Sequence, residues 1–243
     1  MICTQSLSKQ SLKNLKYFGI SDLIRVPSLL TFQTSEAIVQ HWEAFLSSTR
    51  VEKMGIRTRG IIGIRGEKPS RAGHAVFQKL SNLLQQYDLK TIGPIGILHD
   101  QPEDWLAFDA QIELAKSQSA SILVASPKTQ EITGTYKMIQ LLQSISFPTD
   151  KCIFQVRQAK LIEPILRDGF GCAIQAQSLR STDLLPFQDP SHCLQICSNI
   201  DANHHDLLVI PKLHDHLIKN EFSSDFLRRI FYENCAKFYN LST

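Results

Sequence analysis

The sequence predicts an α/β protein built as a closed (β/α)8 TIM barrel, a single domain over residues 1–243. Three observations lead there. Eight short apolar runs alternate with segments of helical periodicity. No Pro- or Gly-rich linker and no change of composition divides the chain. Its 243 residues are close to the length of about 250 typical of that fold. An open doubly wound sheet is the rival architecture. However, no G-x-G-x-x-G and no Walker loop follows the first strand, and Gly93-Pro94-Ile95-Gly96 reads as a glycine pair inside a strand.

Ile2–Thr4 is expected as the first strand, followed by a helix marked by Leu7, Leu12, Leu15 and Phe18 that ends at Gly19. Asp22–Val26 reads as the second strand, stopped by Pro27. A helix over residues 34–48 carries Ala37, Ile38, Trp42, Phe45 and Leu46, and Arg57–Ile64 holds the third strand. Ala75, Val76, Leu80, Leu83 and Leu84 mark the next helix, and Ile92–Leu98 the fourth strand. In the helix over 103–117, Trp105, Phe108, Ile112 and Ala115 share one stripe, with Asp104, Asp109 and Glu113 expected to turn outward. SILVASPKTQ at 121–130 contains the fifth strand, and its helix carries Met138, Ile139, Leu141 and Leu142. Cys152–Val156 is the sixth strand, Leu161–Leu166 is helical, Gly171–Ile174 is the seventh strand and Cys193–Cys197 the eighth. A carboxyl-terminal helix with Phe222, Phe226, Leu227, Ile230, Phe231, Phe238 and Tyr239 is expected to pack on the barrel rather than form an interface.

With 43% hydrophobic and 20% charged residues the chain has a globular composition, able to bury a sizeable core. A formal charge of +3 is too weakly basic to make nucleic acid the expected partner. No apolar run reaches the roughly 18 residues a membrane span requires, and the start of the chain lacks a signal-peptide pattern. A soluble, cytoplasmic protein is therefore expected. Cys3, Cys152, Cys172, Cys193, Cys197 and Cys235 form no C-x-x-C pair and read as reduced thiols. Cys193 and Cys197, with His192 beside them, have ligand-like spacing but no second pair within reach.

In a (β/α)8 barrel the chemistry sits at the carboxyl ends of the strands. Here those ends are polar but poor in metal ligands: Cys3-Thr4-Gln5, Ile64-Arg65-Gly66-Glu67, Leu98-His99-Asp100, Ala125-Ser126-Pro127-Lys128, Phe154-Gln155-Val156 and Ser198-Asn199-Ile200-Asp201. A hydrolytic zinc, iron or manganese site needs several His, Asp or Glu side chains within about 2.0–2.3 Å of the ion. Amides, a hydroxyl and an arginine fill most of the positions instead.

Several stretches resemble the TatD-related hydrolases of the metal-dependent amidohydrolase superfamily. Ile92-Gly93-Pro94-Ile95-Gly96-Ile97 is similar to their G-E-I-G-L strand. Phe108, Gln111, Leu114 and Ala115 match an F-x-x-Q-L-x-L-A helix, and Val124-Ala125-Ser126-Pro127 an I-H-T-P strand end. Asp168-Gly169-Phe170 with the strand of residues 172–177 looks like the seventh barrel unit. Cys197-Ser198-Asn199, followed by Pro211-Lys212, looks like the S-D strand end and V-P-K helix start, and residues 232–241 resemble the Y-E-N-x-x-x-F-F-x-L ending. The likeness covers most of the chain, chiefly residues 90–243. It implies a TIM barrel and, ordinarily, metal-dependent hydrolysis of phosphodiester or amide-like bonds.

Carried over residue by residue, the resemblance implies that every transferable ligand is replaced. The strand-one H-x-H falls in the region of Cys3 to Gln5, and His-Pro at the third strand end becomes Arg65-Gly66. The strand-four glutamate becomes Pro94, the strand-five histidine Ala125, the strand-six histidine Gln155 and the final aspartate Asn199. That aspartate serves the family as general base for metal-bound water, and an amide cannot take the proton. The expectation is a barrel without its hydrolytic centre, with Arg65, Gln155 and Asn199 as ligand-binding residues at the former metal-site positions, no metal and no cofactor.

Other clusters admit other readings. His99 and Asp100 at the fourth strand end are a candidate base or a polar loop, and Ser126 with Lys128 at the fifth a candidate Ser-Lys nucleophile. His204, His205, Asp206, His214, Asp215 and His216 are the densest ligand types, but His214 and His216 diverge on a helix. Arg57, Arg59 and Arg65 share parity on the third strand. They would form either one anion-binding face or a solvated rim paired with Glu52 and Glu67. The function expected is thus a non-catalytic binding or scaffold protein, taking a small anionic ligand or a protein partner. The alternative is a hydrolase of phosphodiester, ester or amide bonds, with a divalent metal at a divergent site or with none.

Overall fold

The spacing of apolar residues folds into alternating helices and strands across the described residues. The computed structural model describes residues 9–27, 34–49, 51–65, 74–127, 129–198 and 209–241. Seven strands are found among them, in a two-stranded sheet, β1-β2, and a five-stranded one of order β3-β4-β5-β6-β7. The first expected strand, Ile2–Thr4, lies outside the described residues. The chain divides into two compact units, residues 1–25, 49–59 and 155–243 in one and 26–48 and 60–154 in the other.

In the first unit, α1 (Lys9–Tyr17) lays Leu12 and Leu15 onto Leu23, Val51 and Ile56, each no more than 7% exposed, with Ile20 and Met54 against them. β1 (Asp22–Arg25) pairs with β2 (Arg57–Gly60), and Asp22 Oδ2 accepts from Arg57 Nη2 at 2.9 Å. α6 (Ile162–Arg167) leads into β6 (Gly171–Gln175), which runs parallel to β7 (Leu194–Cys197) with Cys172 opposite Leu194 and Gln175 opposite Cys197. α7 (Val209–Lys219) follows. The expected carboxyl-terminal helix is divided into α8 (Ser224–Arg228), a π turn (Arg229–Glu233) and α9 (Asn234–Phe238). Asn234 Nδ2 donates to Leu194 O at 2.7 Å while Asn234 O accepts from Gln195 Nε2 at 3.1 Å, tying that segment to β7.

In the second unit, Thr34 caps α2 (Ser35–Ser47), its Oγ1 accepting from Ala37 N at 3.2 Å, and Trp42 and Phe45 are buried. α3 (His74–Gln86) precedes β3 (Thr91–Ile95), and α4 (Pro102–Ser117) starts with proline where its missing N–H is harmless. β4 (Ser121–Ala125) and α5 (Glu131–Ser144) complete it, and β5 (Cys152–Val156) begins in this unit and ends in the first. All five residues of β3, β5 and β6 are buried. They read as continuous runs because parallel strands are covered on both faces.

β3 and β4 are parallel with a register shift between Ile92 and Ile95. Gly93 sits in that shift, where a Cβ would lie 2.7 Å from Leu123 Cβ. The third strand is shorter than expected. β2 stops at Gly60, and beyond it the isolated bridges Ile62 to Ile92 and Arg65 to Gly96 continue the pairing among the described residues. The regular alternation that placed Arg57, Arg59 and Arg65 on one face therefore fails: Arg57 and Arg59 are exposed and Arg65 is 4% exposed.

Gly96 has φ +143°, and a Cβ there would lie 2.5 Å from the Ala125 carbonyl oxygen. Gly96→Ala is expected to cost about 1–3 kcal/mol, read as a lower urea midpoint at unchanged slope.

Candidate functional site

The strand ends of the second unit are organised by buried side chains that hold backbone. Gln111 on α4 is fully buried; its Oε1 accepts from Ile64 N at 2.6 Å, and its Nε2 donates to Ile64 O at 2.9 Å and to Ala107 O at 2.9 Å. This fixes the segment before Arg65, whose Nη2 donates to Ser126 O at 2.7 Å. Asp104, expected outside, is 2% exposed, and its Oδ2 accepts from Leu98 N at 3.0 Å and His99 N at 2.7 Å. A carboxylate satisfying two backbone N–H groups at the start of α4 is worth more there than in water.

These contacts define what the candidate polar residues can do. Thr135 Oγ1 donates to Glu131 O at 2.5 Å, so it accepts from Ser126 Oγ at 2.8 Å. The Ser126 hydroxyl proton is thereby committed to a neutral hydroxyl rather than to a base. Asp100 accepts from Lys137 Nζ and, at 2.8 Å, from Trp105 Nε1. The Lys137 ammonium and then the indole hold its carboxyl below the usual range, which makes it a weak base. His99 is exposed beside it. Lys128 lies outside the described residues.

In the first unit β1 ends on the buried Arg25, paired with Glu52, whereas β5, β6 and β7 end in uncharged groups. Gln155 on β5, 4% exposed, donates from Nε2 to Cys197 Sγ on β7 at 3.4 Å, and its Oε1 is buried without a hydrogen-bond partner. Gln175, the last residue of β6, is 6% exposed. Burial pushes the Cys197 thiol up to about 11, the Gln155 contact only partly opposing it. Burial likewise raises the Cys193 thiol. Asn199, His204, His205 and Asp206 lie outside the described residues. His214 and His216 diverge on α7. The His214 ring stands edge-on to Phe231 at 5.2 Å, and Lys219 Nζ donates to Asp215 Oδ2 at 2.7 Å. A cleft of about 560 Å³ between Phe18, Ile20, Ile210, Pro211 and Phe231 includes His214 and Asp215 in its lining.

A divalent metal does not fit the described residues at the matched positions. In the second unit Pro94 and Ala125 carry no side-chain donor atom and Arg65 is a buried guanidinium, and in the first Gln155 offers only a neutral carboxamide. No group of three or more His, Cys, Asp and Glu suited to an ion exists among the described residues. Sequence reasoning missed Asp104, Thr135 and Gln175. Only Gln111 carried a signal, through its place in the F-x-x-Q pattern.

Solved structures share the fold. A TatD-like protein from Archaeoglobus fulgidus superposes with a TM-score of 0.80 at 17% identity, over 99% of this chain and 98% of that one. A TatD homologue from Escherichia coli K12 gives 0.69 at 12% identity, covering 100% of this chain and 97% of that one. A phosphotriesterase homology protein from Escherichia coli, solved with phosphate in its active site, gives 0.69 at 14%, covering 95% and 88%. The chain thus has the α/β TIM-barrel fold of TatD-like proteins. No family model and no curated protein sequence matches it. No helix among the described residues is long and apolar enough to cross a membrane.

With the thiol at about 11, roughly one Cys197 in a thousand is thiolate at pH 8. Iodoacetamide at pH 8 is expected to leave Cys197 unlabelled in the folded chain and to label it fully in guanidinium, as read by peptide mass spectrometry.

Proposed function

We propose that the chain is a TatD-like amidohydrolase-superfamily barrel, one domain over residues 1–243, that has lost the hydrolytic metal centre and acts as a non-catalytic, cytoplasmic binding protein. The observation that carries this reading is Arg65, a buried guanidinium at the strand end where the resemblance places a metal-site His-Pro. A guanidinium there favours an anion, because its planar donors suit carboxylate or phosphate and its charge opposes a metal ion. The phosphate in the active site of the Escherichia coli phosphotriesterase homology protein supports an anionic ligand for the shared fold. Pro94, Ala125, Gln155 and Asn199 supply neither the anionic ligands nor the base that hydrolysis through a metal-bound water requires.

Protein purified without added metal is expected to carry well under one equivalent of zinc, manganese or iron by mass spectrometry. Stoichiometric metal that is lost in Gln155→Ala or Asn199→Ala defeats the proposal. Inorganic phosphate is expected to bind in calorimetry, weakening at least tenfold in Arg65→Leu. Retention of binding in Arg65→Lys shows that charge rather than collapse of the fold is responsible.

A further inference from the structure

None of the described residues lining the cleft of about 560 Å³ in the first unit belongs to a strand or to a strand's carboxyl end. Its volume is within the range of about 300–1,000 Å³ typical of small-molecule pockets. One wall is fixed by the end of α1. Ile20 N donates to Leu15 O and Gly19 N to Lys16 O, each at 3.0 Å, with Gly19 at φ +77°. This Schellman closure sets Phe18 and Ile20 on either side of the glycine. Ile20 packs against the core of the unit, whereas Phe18 stays 45% exposed.

A second wall is the stripe of Ile210, Pro211 and His214 on α7, beside the stripe of Leu213 and Leu217 that is buried. Phe231 comes from the π turn, an irregularity that is frequent at functional sites, and the His214 ring meets it edge-on at 5.2 Å. The charges here are unequal. Asp215 accepts from Lys219 Nζ at 2.7 Å, which holds its carboxyl below the usual range, so its charge is already answered. Lys212, exposed one turn before Asp215, carries an ammonium with three donors, enough to take a ligand carboxylate beside any bond it makes within the fold. His214, also exposed, has an imidazole N–H in either protonation state. An apolar body with a negative head is complementary to this surface, whereas a ligand cation would have to displace Lys219.

We propose that the cleft binds a small aryl carboxylate, a ring on a short chain that ends in an ionised carboxyl group. The ring enters between Phe18, Ile210, Pro211 and Phe231, where edge-on and offset contacts between aromatic rings are favourable. The carboxylate stays at the mouth with Lys212 and His214, where it keeps part of its hydration and avoids the cost of a buried charge. No bond is made or broken. The inference uses neither Arg65 nor the strand ends, so it holds whether or not those ends carry a metal.

The test titrates the full chain, labelled with 15N, with 3-phenylpropionate, and compares 3-phenylpropanol, 3-phenylpropylamine and octanoate. The backbone amide signals of Ile20, Lys212, His214 and Phe231 are expected to shift saturably with 3-phenylpropionate. The alcohol, the amine and octanoate are each expected to bind at least threefold more weakly, the scale of one exposed ion pair or one aromatic contact. The advantage of the acid over the alcohol is expected to vanish in Lys212→Met, which keeps the apolar stem, and to persist in Lys212→Arg. Phe18→Leu is expected to bring 3-phenylpropionate and octanoate closer together. Lys212 and Phe18 are both exposed, and an unchanged backbone spectrum away from the cleft checks that each variant folds. Equal binding of acid and alcohol, or an advantage that survives Lys212→Met, overturns the inference. Octanoate binding as tightly as the aryl acid, or shifts that never saturate, overturn it as well. Displacement of the acid by inorganic phosphate assigns it to a phosphate site instead, which overturns the inference and leaves the proposed function standing.

Discussion

The Gln111 carboxamide holding both backbone groups of Ile64 is the contact on which the strand-end geometry of the second unit depends. Between Gly60 and Arg65 the pairing to β3 and the residue after it is carried by isolated bridges at Ile62 and Arg65, with Ile64 outside them. A fully buried side chain that donates and accepts replaces the missing pairing. Because it comes from α4, helix and irregular strand are locked together, and Arg65 emerges from a fixed backbone. Asp104, from the first turn of the same helix, does the same for Leu98 and His99. α4 thus sets two of the unit's strand ends.

This arrangement explains why polar residues that look reactive in isolation are occupied. Ser126, Thr135 and Glu131 O form a one-directional hydrogen-bond chain, so the serine proton has no base to go to. Asp100 is held ionised by Lys137 and Trp105, anchoring the loop after β3. In the first unit the polarity is of another kind. Gln155, Gln175 and Cys197 are buried and uncharged, so their polarity is that of hydrogen-bonding dipoles.

The repeating strands and helices were legible because parallel strands buried on both faces leave unbroken apolar runs. Cys152–Val156 and Leu194–Cys197 are the clearest cases, and the latter lies within the expected strand Cys193–Cys197. The sequence pattern was less informative where the chain departs from periodicity. Parity placed Arg57, Arg59 and Arg65 together, but alternation holds only inside a regular strand, and β2 ends at Gly60. Helical spacing turned Asp104 outward, but a carboxylate in a first helical turn is drawn to the free N–H groups of the preceding loop. The π turn at Arg229–Glu233 likewise breaks a helix whose apolar spacing reads as continuous.

By itself, the sequence determined the fold class and the residue types at the described strand ends, since both follow from local periodicity and residue identity. Arg65, Pro94, Ala125 and Gln155 carry their chemistry whatever surrounds them. Only the tertiary structure decided how those groups are engaged. The Ser126 proton goes to Thr135, the Arg65 guanidinium reaches the Ser126 carbonyl, and Gln155 spans to Cys197 while its oxygen stays unmatched. Each of these joins residues from separate strands and helices. Hydrogen bonding is directional, so the partner of a buried polar group depends on where the chain's distant segments come to rest.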